Sequence, residues 1–257
     1  GGEVGVFRGG PFLAYDYISG RNLAALVQQA ERQTSPIAVD HALLIAERIA
    51  LALAVAHETR ANGERLSHGF LVPHLVMISN EGETRVLGFE VGPLLAQQAR
   101  GGTFEPEVSS YLAPEVIAGQ DAAKSDDVYS LGAILFELLT GERPSGDAAA
   151  RAAMIERTTT ADGEPLPAPL TDLLKKSLAA RDHRIGDPVT WHKALSKVMT
   201  DGQHSATTFN LAFFMHNLVR ADIERESQEM EAEKKIQPPA AAMPERPAST
   251  IAVPREE

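Results

Sequence analysis

Residues 66–79 read LSHGFLVPHLVMIS, and the fold turns on this stretch. His68, Leu71 and Pro73 set its register ahead of an apolar strand at 76–79. The turn Asn80-Glu81-Gly82 follows, and residues 85–87 predict a second short strand. Upstream, residues 40–62 predict a long helix with Asp40 as its N-cap and Asn62-Gly63 as its stop. Leu44, Ile45, Ile49, Leu53 and Ala56 recur along it, and only small or charged residues interrupt them, so most of it is expected to be buried. A shorter helix is expected over 22–33, broken by Ser35-Pro36. Residues 4–7 and 12–18 read as two strands around Arg8-Gly9-Gly10, with Gly20 ending the hairpin.

Downstream, a loop rich in Gly, Pro and Gln runs to about Ser110. A strongly apolar helix then covers 127–139, with Val128, Leu131, Leu135 and Leu138 at helical spacing and Gly141 as its stop. Residues 170–180 and 189–198 predict further helices. The last helix, 208–235, is apolar at first and charged later. Residues 238–257 hold five prolines and several alanines and are expected to form a disordered linker. There is no internal repeat.

Composition narrows the functional classes. At 257 residues, 44% hydrophobic and 23% charged, the chain can build one large domain or two small ones. A net charge of −11 argues against nucleic acid or anionic lipid as partner, because both demand a basic face. The absence of cysteine removes disulfides, thiol catalysis and thiolate metal sites, and it fits a cytoplasmic location. No run reaches the roughly 18 to 20 apolar residues of a membrane span, and no signal peptide is visible. The chain opens on Gly1 and not on Met, so upstream sequence is expected. His68 and His74, the closest histidines, are six apart, which is not the spacing of a helical metal pair, and no metal site is expected.

Six segments in order carry a family resemblance. LSHGFLVPHLVMIS resembles the catalytic loop H-R-D-L-x-x-x-N of protein kinases and the strand after it. VLGFE at 86–90 falls where kinases carry D-F-G, and YLAPE at 111–115 matches A-P-E. DDVYSLGAILFELLTG at 126–141 looks like the buried central helix of the kinase C-lobe. LAARDHRI at 178–185 resembles the segment with that lobe's late arginine, and FLAYDYISGRNL at 12–23 resembles the last N-lobe strand and hinge. The resemblance is to the C-lobe of a bacterial Ser/Thr-type kinase, with most of the N-lobe outside these residues. It implies a mainly α fold with a small β component: a hinge-side hairpin at 1–19, a C-lobe at 20–200, a C-terminal helix at 201–236 and a linker at 237–257.

The departures from the family pattern bear on function. In kinases the catalytic-loop Asp orients the substrate hydroxyl and accepts its proton, while the Asn and the D-F-G Asp bind metal. Phe70, Leu75 and Gly88 stand at these three positions, and none can accept a proton or ligate magnesium. The first lysine in the chain is Lys124, so no strand lysine precedes the hinge, and GGEVGVFRGG does not fit the glycine-rich loop. The resemblance therefore implies a pseudokinase that works as a protein-interaction or regulatory module, with ATP and magnesium binding weak or absent. Two rivals remain open: a Ser/Thr kinase with its N-lobe supplied upstream, using Glu90 as a replacement carboxylate, and a nucleotide sensor without turnover.

The resemblance also implies structural roles. His68 and Phe89 fall in the hydrophobic spine, and Glu115 and Arg184 in a buried ion pair. Asp127 falls where a carboxylate accepts backbone N–H groups near His68. Tyr15 and Met77 fall where kinases line the adenine pocket. Outside the resemblance, Phe209, Leu211, Phe213, Phe214, Met215 and Leu218 are too apolar to stay solvated. Residues 208–220 are expected to cap the lobe, pair with a second copy or bind a protein partner, with Phe213 and Phe214 both docked.

Overall fold

The computed structural model describes residues 3–7, 10–61, 64–65, 67–92, 95 and 104–234. The linker expected at 237–257 lies outside the described residues. Two compact units divide the chain, Gly1–Val219 and Arg220–Glu257.

The first unit is built around two helices that are apolar on nearly every side. Helix α2 (Val39–Glu58) packs against α5 (Lys124–Thr140), α8 (Pro188–Asp201) and the strand β7 (Thr84–Val86). Leu43, Ile45, Ile49 and Leu53 on α2 are fully buried, as are Leu131, Leu135 and Phe136 on α5. Each such side chain contributes about 1.5–3 kcal/mol. Gly141 ends α5 in the left-handed region at φ 73°. Helix α7 (Ala168–Ser177) closes the far side of α5. Trp191 of α8 is fully buried there and donates its indole N–H to Ser177 Oγ at 2.7 Å.

The β component is small. β1 (Glu3–Phe7) and β2 (Gly10–Ala14) form an antiparallel hairpin. A separate sheet has the order β3 (Gly20–Asn22), β6 (Val76–Ser79), β7, all antiparallel. Its register pairs Asn22 with Met77 and Met77 with Arg85. β4 (Arg60–Ala61) and β5 (Glu64–Arg65) form a two-residue ladder.

Several boundaries differ from the sequence expectation. The second strand stops at Ala14, and Gly20 begins β3 instead of merely ending a hairpin, because its backbone finds a partner in Ser79. Asn22 then caps α1 (Leu23–Arg32), accepting from Ala25 N at 2.8 Å. Helix α2 starts after Ala38, so Asp40 is not its cap; the carboxylate instead accepts from His204 Nδ1 and Ser205 N. The same helix ends at Glu58, because Thr59 turns extended and the chain passes into β4. Helix α6 (Ala148–Arg157) was not expected. Its sequence, AAARAAMIER, has too few large apolar residues to show a period, yet alanine is the strongest helix former and Asp147 caps it. Two one-turn helices, α3 (Pro106–Ser109) and α4 (Pro114–Ile117), lie in the segment read as loop and motif.

Helix α9 (Thr208–Lys234) leaves helical geometry at Val219 (φ −117°, ψ 18°), where the two units meet in sequence. Within the first unit its residues Leu211, Met215, Leu218 and Val219 are buried. Phe214 sets its ring 5.2 Å from that of His41, and Gln33 Nε2 donates to Leu218 O at 2.8 Å. The approach to the β6–β7 turn is so close that a Cβ on Gly82 would lie 2.0 Å from Thr208 O. The expectation that the whole apolar cluster docks is corrected for two residues: Phe209 is 76% exposed and Phe213 64%. Helical spacing puts them on the stripe away from Leu211 and Met215. In the second unit, Arg220 Nε pairs with Glu224 Oε1 at 2.9 Å on a solvated surface. Among the described residues no helix is long and apolar enough to cross a membrane.

Candidate functional site

The loop 67–75 is held from beneath by one buried carboxylate. Asp127, in the first turn of α5, is fully buried. Its Oδ2 accepts the backbone N–H of His68 at 2.8 Å and its Oδ1 that of Gly69 at 2.8 Å. The same Oδ2 accepts Nε2–H of His57 at 2.7 Å, from the last turn of α2. A buried charge demands such partners. His57 was missed in the sequence; the spacing of one histidine at the end of an apolar helix carries no signal of what it meets. Above, His68 Nδ1 accepts from Phe70 N and Nε2 donates to Leu87 O at 2.8 Å, which sets the ring's tautomer. The Phe89 ring meets that of His68 edge-on at 5.0 Å.

On this platform stand the three positions singled out from the sequence. Phe70 is 7% exposed and packs its ring 5.5 Å from Phe104. Leu75 closes a 3-10 turn (Pro73–Leu75) just before β6. Gly88 adopts φ 91°, and a Cβ there would lie 3.1 Å from Leu75 Cδ1. The isobutyl group of Leu75 thus fills the space into which a side chain at 88 would project. Neither residue offers an oxygen or nitrogen donor from its side chain.

A cavity of about 420 Å³ opens beside these residues. Tyr15, Ile18, Ala52, Leu87, Gly88 and Glu90 are among its walls. Tyr15 donates its hydroxyl to Glu90 Oε2 at 3.0 Å. Burial and the neighbouring Glu90 carboxylate push the Tyr15 phenol up from its ordinary value. Met77 is not part of this wall. It sits between Val76 and Ile78, both fully buried, and its cross-strand partner on β7 is Arg85. The structure therefore does not bring Tyr15 and Met77 together around one cavity. Arg85 is the cavity's one cation among the described residues, and it pairs with Glu83 at 2.9 Å. Among the described residues no group of three or more His, Asp or Glu is placed to hold a metal ion. Of the three loop positions only Gly88 lines this cavity, and it presents no side chain there.

Below the site, charged groups lock segments far apart in sequence. Arg184 donates to Glu115 Oε2 at 2.9 Å and to Asp126 Oδ1 at 2.9 Å, with its side chain fully buried. Arg181 donates to Asp126 Oδ2 at 2.6 Å. Burial opposes the charge on Glu115, but its backbone N–H groups and the Arg184 guanidinium outweigh that and hold the carboxyl below its ordinary value. The role of Asp126 was missed as well. The doublet Asp126-Asp127 heads an apolar helix, and that adjacency was the available signal. A second cluster joins Tyr111, Glu137 and Arg143: Tyr111 OH donates to Glu137 Oε2 at 2.5 Å and Arg143 Nε to Glu137 Oε1 at 3.0 Å. Burial and Glu137 raise the Tyr111 phenol far above its usual range.

This framework has known counterparts. The sequence profile of the protein kinase domain matches residues 10–191. A probable serine/threonine-protein kinase PknB of Lactococcus lactis subsp. lactis is 32% identical over 154 residues, covering 59% of this chain and 23% of the relative. Serine/threonine-protein kinase PrkC of Bacillus subtilis is 31% identical over 134 residues, covering 52% and 19%. The chain thus spans about a fifth of the length of these relatives. Among solved structures, the PknI kinase domain of Mycobacterium tuberculosis superposes with a TM-score of 0.54 at 24% identity, over 76% of this chain and 68% of that one, which speaks to fold. The shared profile, the helical lobe around α2 and α5, and the ordered motifs from 12 to 185 have one reading: the chain belongs to the protein kinase family.

Proposed function

We propose that this protein-kinase-like domain transfers no phosphate and acts as a binding or regulatory module. One observation carries the reading: Leu75 and Gly88 pack together where the two metal ligands of a kinase would face each other. Phosphoryl transfer rests on positioning and on charge stabilisation by the metal-binding groups. Here the base position is an aromatic ring and both ligand positions are apolar. Glu90 is a poor substitute, because its carboxylate is engaged by the Tyr15 hydroxyl.

The test uses the purified chain with labelled ATP, magnesium or manganese, and a generic protein substrate. The expected result is no transfer above a blank without the protein. Transfer that vanishes in Glu90→Ala would overturn the proposal and establish an unusual kinase. The cavity of about 420 Å³ supports a second reading, a sensor that binds a nucleotide base without turnover. Adenosine that binds with the same affinity as ATP, regardless of magnesium, is the outcome that reading expects.

A further inference from the structure

We infer that a cleft where three helix ends meet binds a free α-amino acid with an aliphatic side chain. The site goes beyond the silent-domain reading and shares no wall with the cavity beside Gly88. The last turn of α2, the first residue of α5 and the first turn of α8 enclose a cavity of about 330 Å³. That lies at the small end of the range for small-molecule sites, roughly 300–1,000 Å³. Its apolar walls are Ala54, Pro188 and Val189. Its charged walls are Glu58, Lys124 and Asp187, and His57 stands among them.

The chain already uses one of these charges. Asp187 caps α8: its Oδ1 accepts from Thr190 N at 2.8 Å and its Oδ2 from Thr190 Oγ1 at 3.1 Å. Those bonds, with a smaller pull from the Lys124 charge, hold its carboxyl below the ordinary value. The other two charges remain for a visitor. Neither the Glu58 carboxylate nor the Lys124 ammonium has a hydrogen-bond or ion-pair partner among the described residues. His57 adds an acceptor. Its Nε2 donates to Asp127, and its Nδ1 is buried without a partner among the described residues. A carboxylate that only accepts keeps the ring proton on Nε2, so Nδ1 offers a lone pair. One anion, one cation and one buried acceptor are thus unmet beside apolar walls. A free amino acid supplies the complement in a single molecule. Its ammonium answers Glu58 and the His57 lone pair, its carboxylate answers Lys124, and its side chain covers Ala54 and Val189. An internal peptide segment carries neither charge on its backbone, so the pairing selects the free molecule.

The test is isothermal titration calorimetry of the full chain with L-leucine. Saturable binding is expected, at least ten-fold tighter than that of three comparison molecules. These are glycine, which lacks the side chain, isocaproate, which lacks the ammonium, and isopentylamine, which lacks the carboxylate. Lys124→Gln is expected to weaken leucine binding at least ten-fold. Lys124 stands at the positive end of α5, where a cation opposes the helix dipole, so the melting temperature is expected not to fall. Glu58→Gln is expected to give the same loss through the opposite charge. Lys197→Gln, farther along α8 with its side chain 76% exposed, is expected to leave binding within two-fold. Absent binding at millimolar leucine overturns the site. Equal binding of any comparison molecule, no response to Lys124→Gln or Glu58→Gln, or an equal loss with Lys197→Gln overturns it as well.

Discussion

Gly88 is the residue at which chemistry and conformation are hardest to separate. A side chain there would be strained at φ 91° and would press on Leu75 Cδ1. For a residue other than glycine the left-handed region costs roughly 1–2 kcal/mol. Gly88→Asp is therefore expected to lower the unfolding free energy by about that much, read from urea denaturation. Combining it with Phe70→Asp and Leu75→Asn restores the kinase residue types, yet the variant is expected to show no transfer in the labelled-ATP assay, since the walls around Tyr15 and Glu90 are unchanged. Asp127 offers the opposite case. It accepts three hydrogen bonds while fully buried. Asp127→Ala leaves three buried donors unmet, at about 1–3 kcal/mol each by the usual cost of an orphaned group. Loss of cooperative unfolding in a thermal melt is the expected outcome.

At the scale of elements, α9 divides its apolar residues between two faces, and the variants divide accordingly. Met215→Asp is expected to destabilise by ~3 kcal/mol or more, because it buries an unpaired charge. Phe213→Asp is expected to change stability by less than ~0.5 kcal/mol, as exposed positions do. Denaturant titration of the two in parallel decides the point. The same docking site responds to pH. Burial lowers the His41 pKa below its ordinary 6.5, against the pull of Asp40. The unfolded chain then binds the proton more readily than the folded one, so stability falls as the pH drops below about 6.5. His41→Gln is expected to flatten that slope, measured as melting temperature between pH 7 and 5. Glu115 acts lower on the scale: its depressed carboxyl keeps its stabilisation above about pH 4.5 and loses it as the pH falls further.

For the whole molecule, the lobe was legible in the sequence because its two central helices repeat apolar residues at helical spacing and its motifs keep their order from residue 12 to 185. What escaped was of another kind. The alanine helix at Ala148–Arg157 shows no apolar period. The partners of Asp127 and Arg184 lie 70 and 58 residues away in His57 and Asp126, and such pairings are properties of the folded chain and not of any window of it. Met77 stands outside the cavity's walls although its cross-strand partner Arg85 is one of them, which a family resemblance does not reveal. A melting experiment addresses the domain as a unit. A ligand at about 100 times its Kd adds roughly 2.7 kcal/mol to the native state. ATP with magnesium at millimolar concentration is expected to shift the melting temperature by less than a degree, and a shift of several degrees that depends on magnesium would reveal a phosphate site.

The seat of α9 has a consequence for the order of synthesis. Its buried residues close against Gln33, His41 and the turn at Gly82, all made long before. Residues 33 and 218 are 185 apart in the chain, so a ribosome releases α2 and its neighbours well before the helix that covers them. Until Leu218 emerges, the surface around His41 is bare, and a nascent chain stalled before that point presents it to chaperones and to other nascent chains. A pause or cleavage within the stretch before residue 208 is then more harmful than one after residue 219, although both leave the kinase motifs complete.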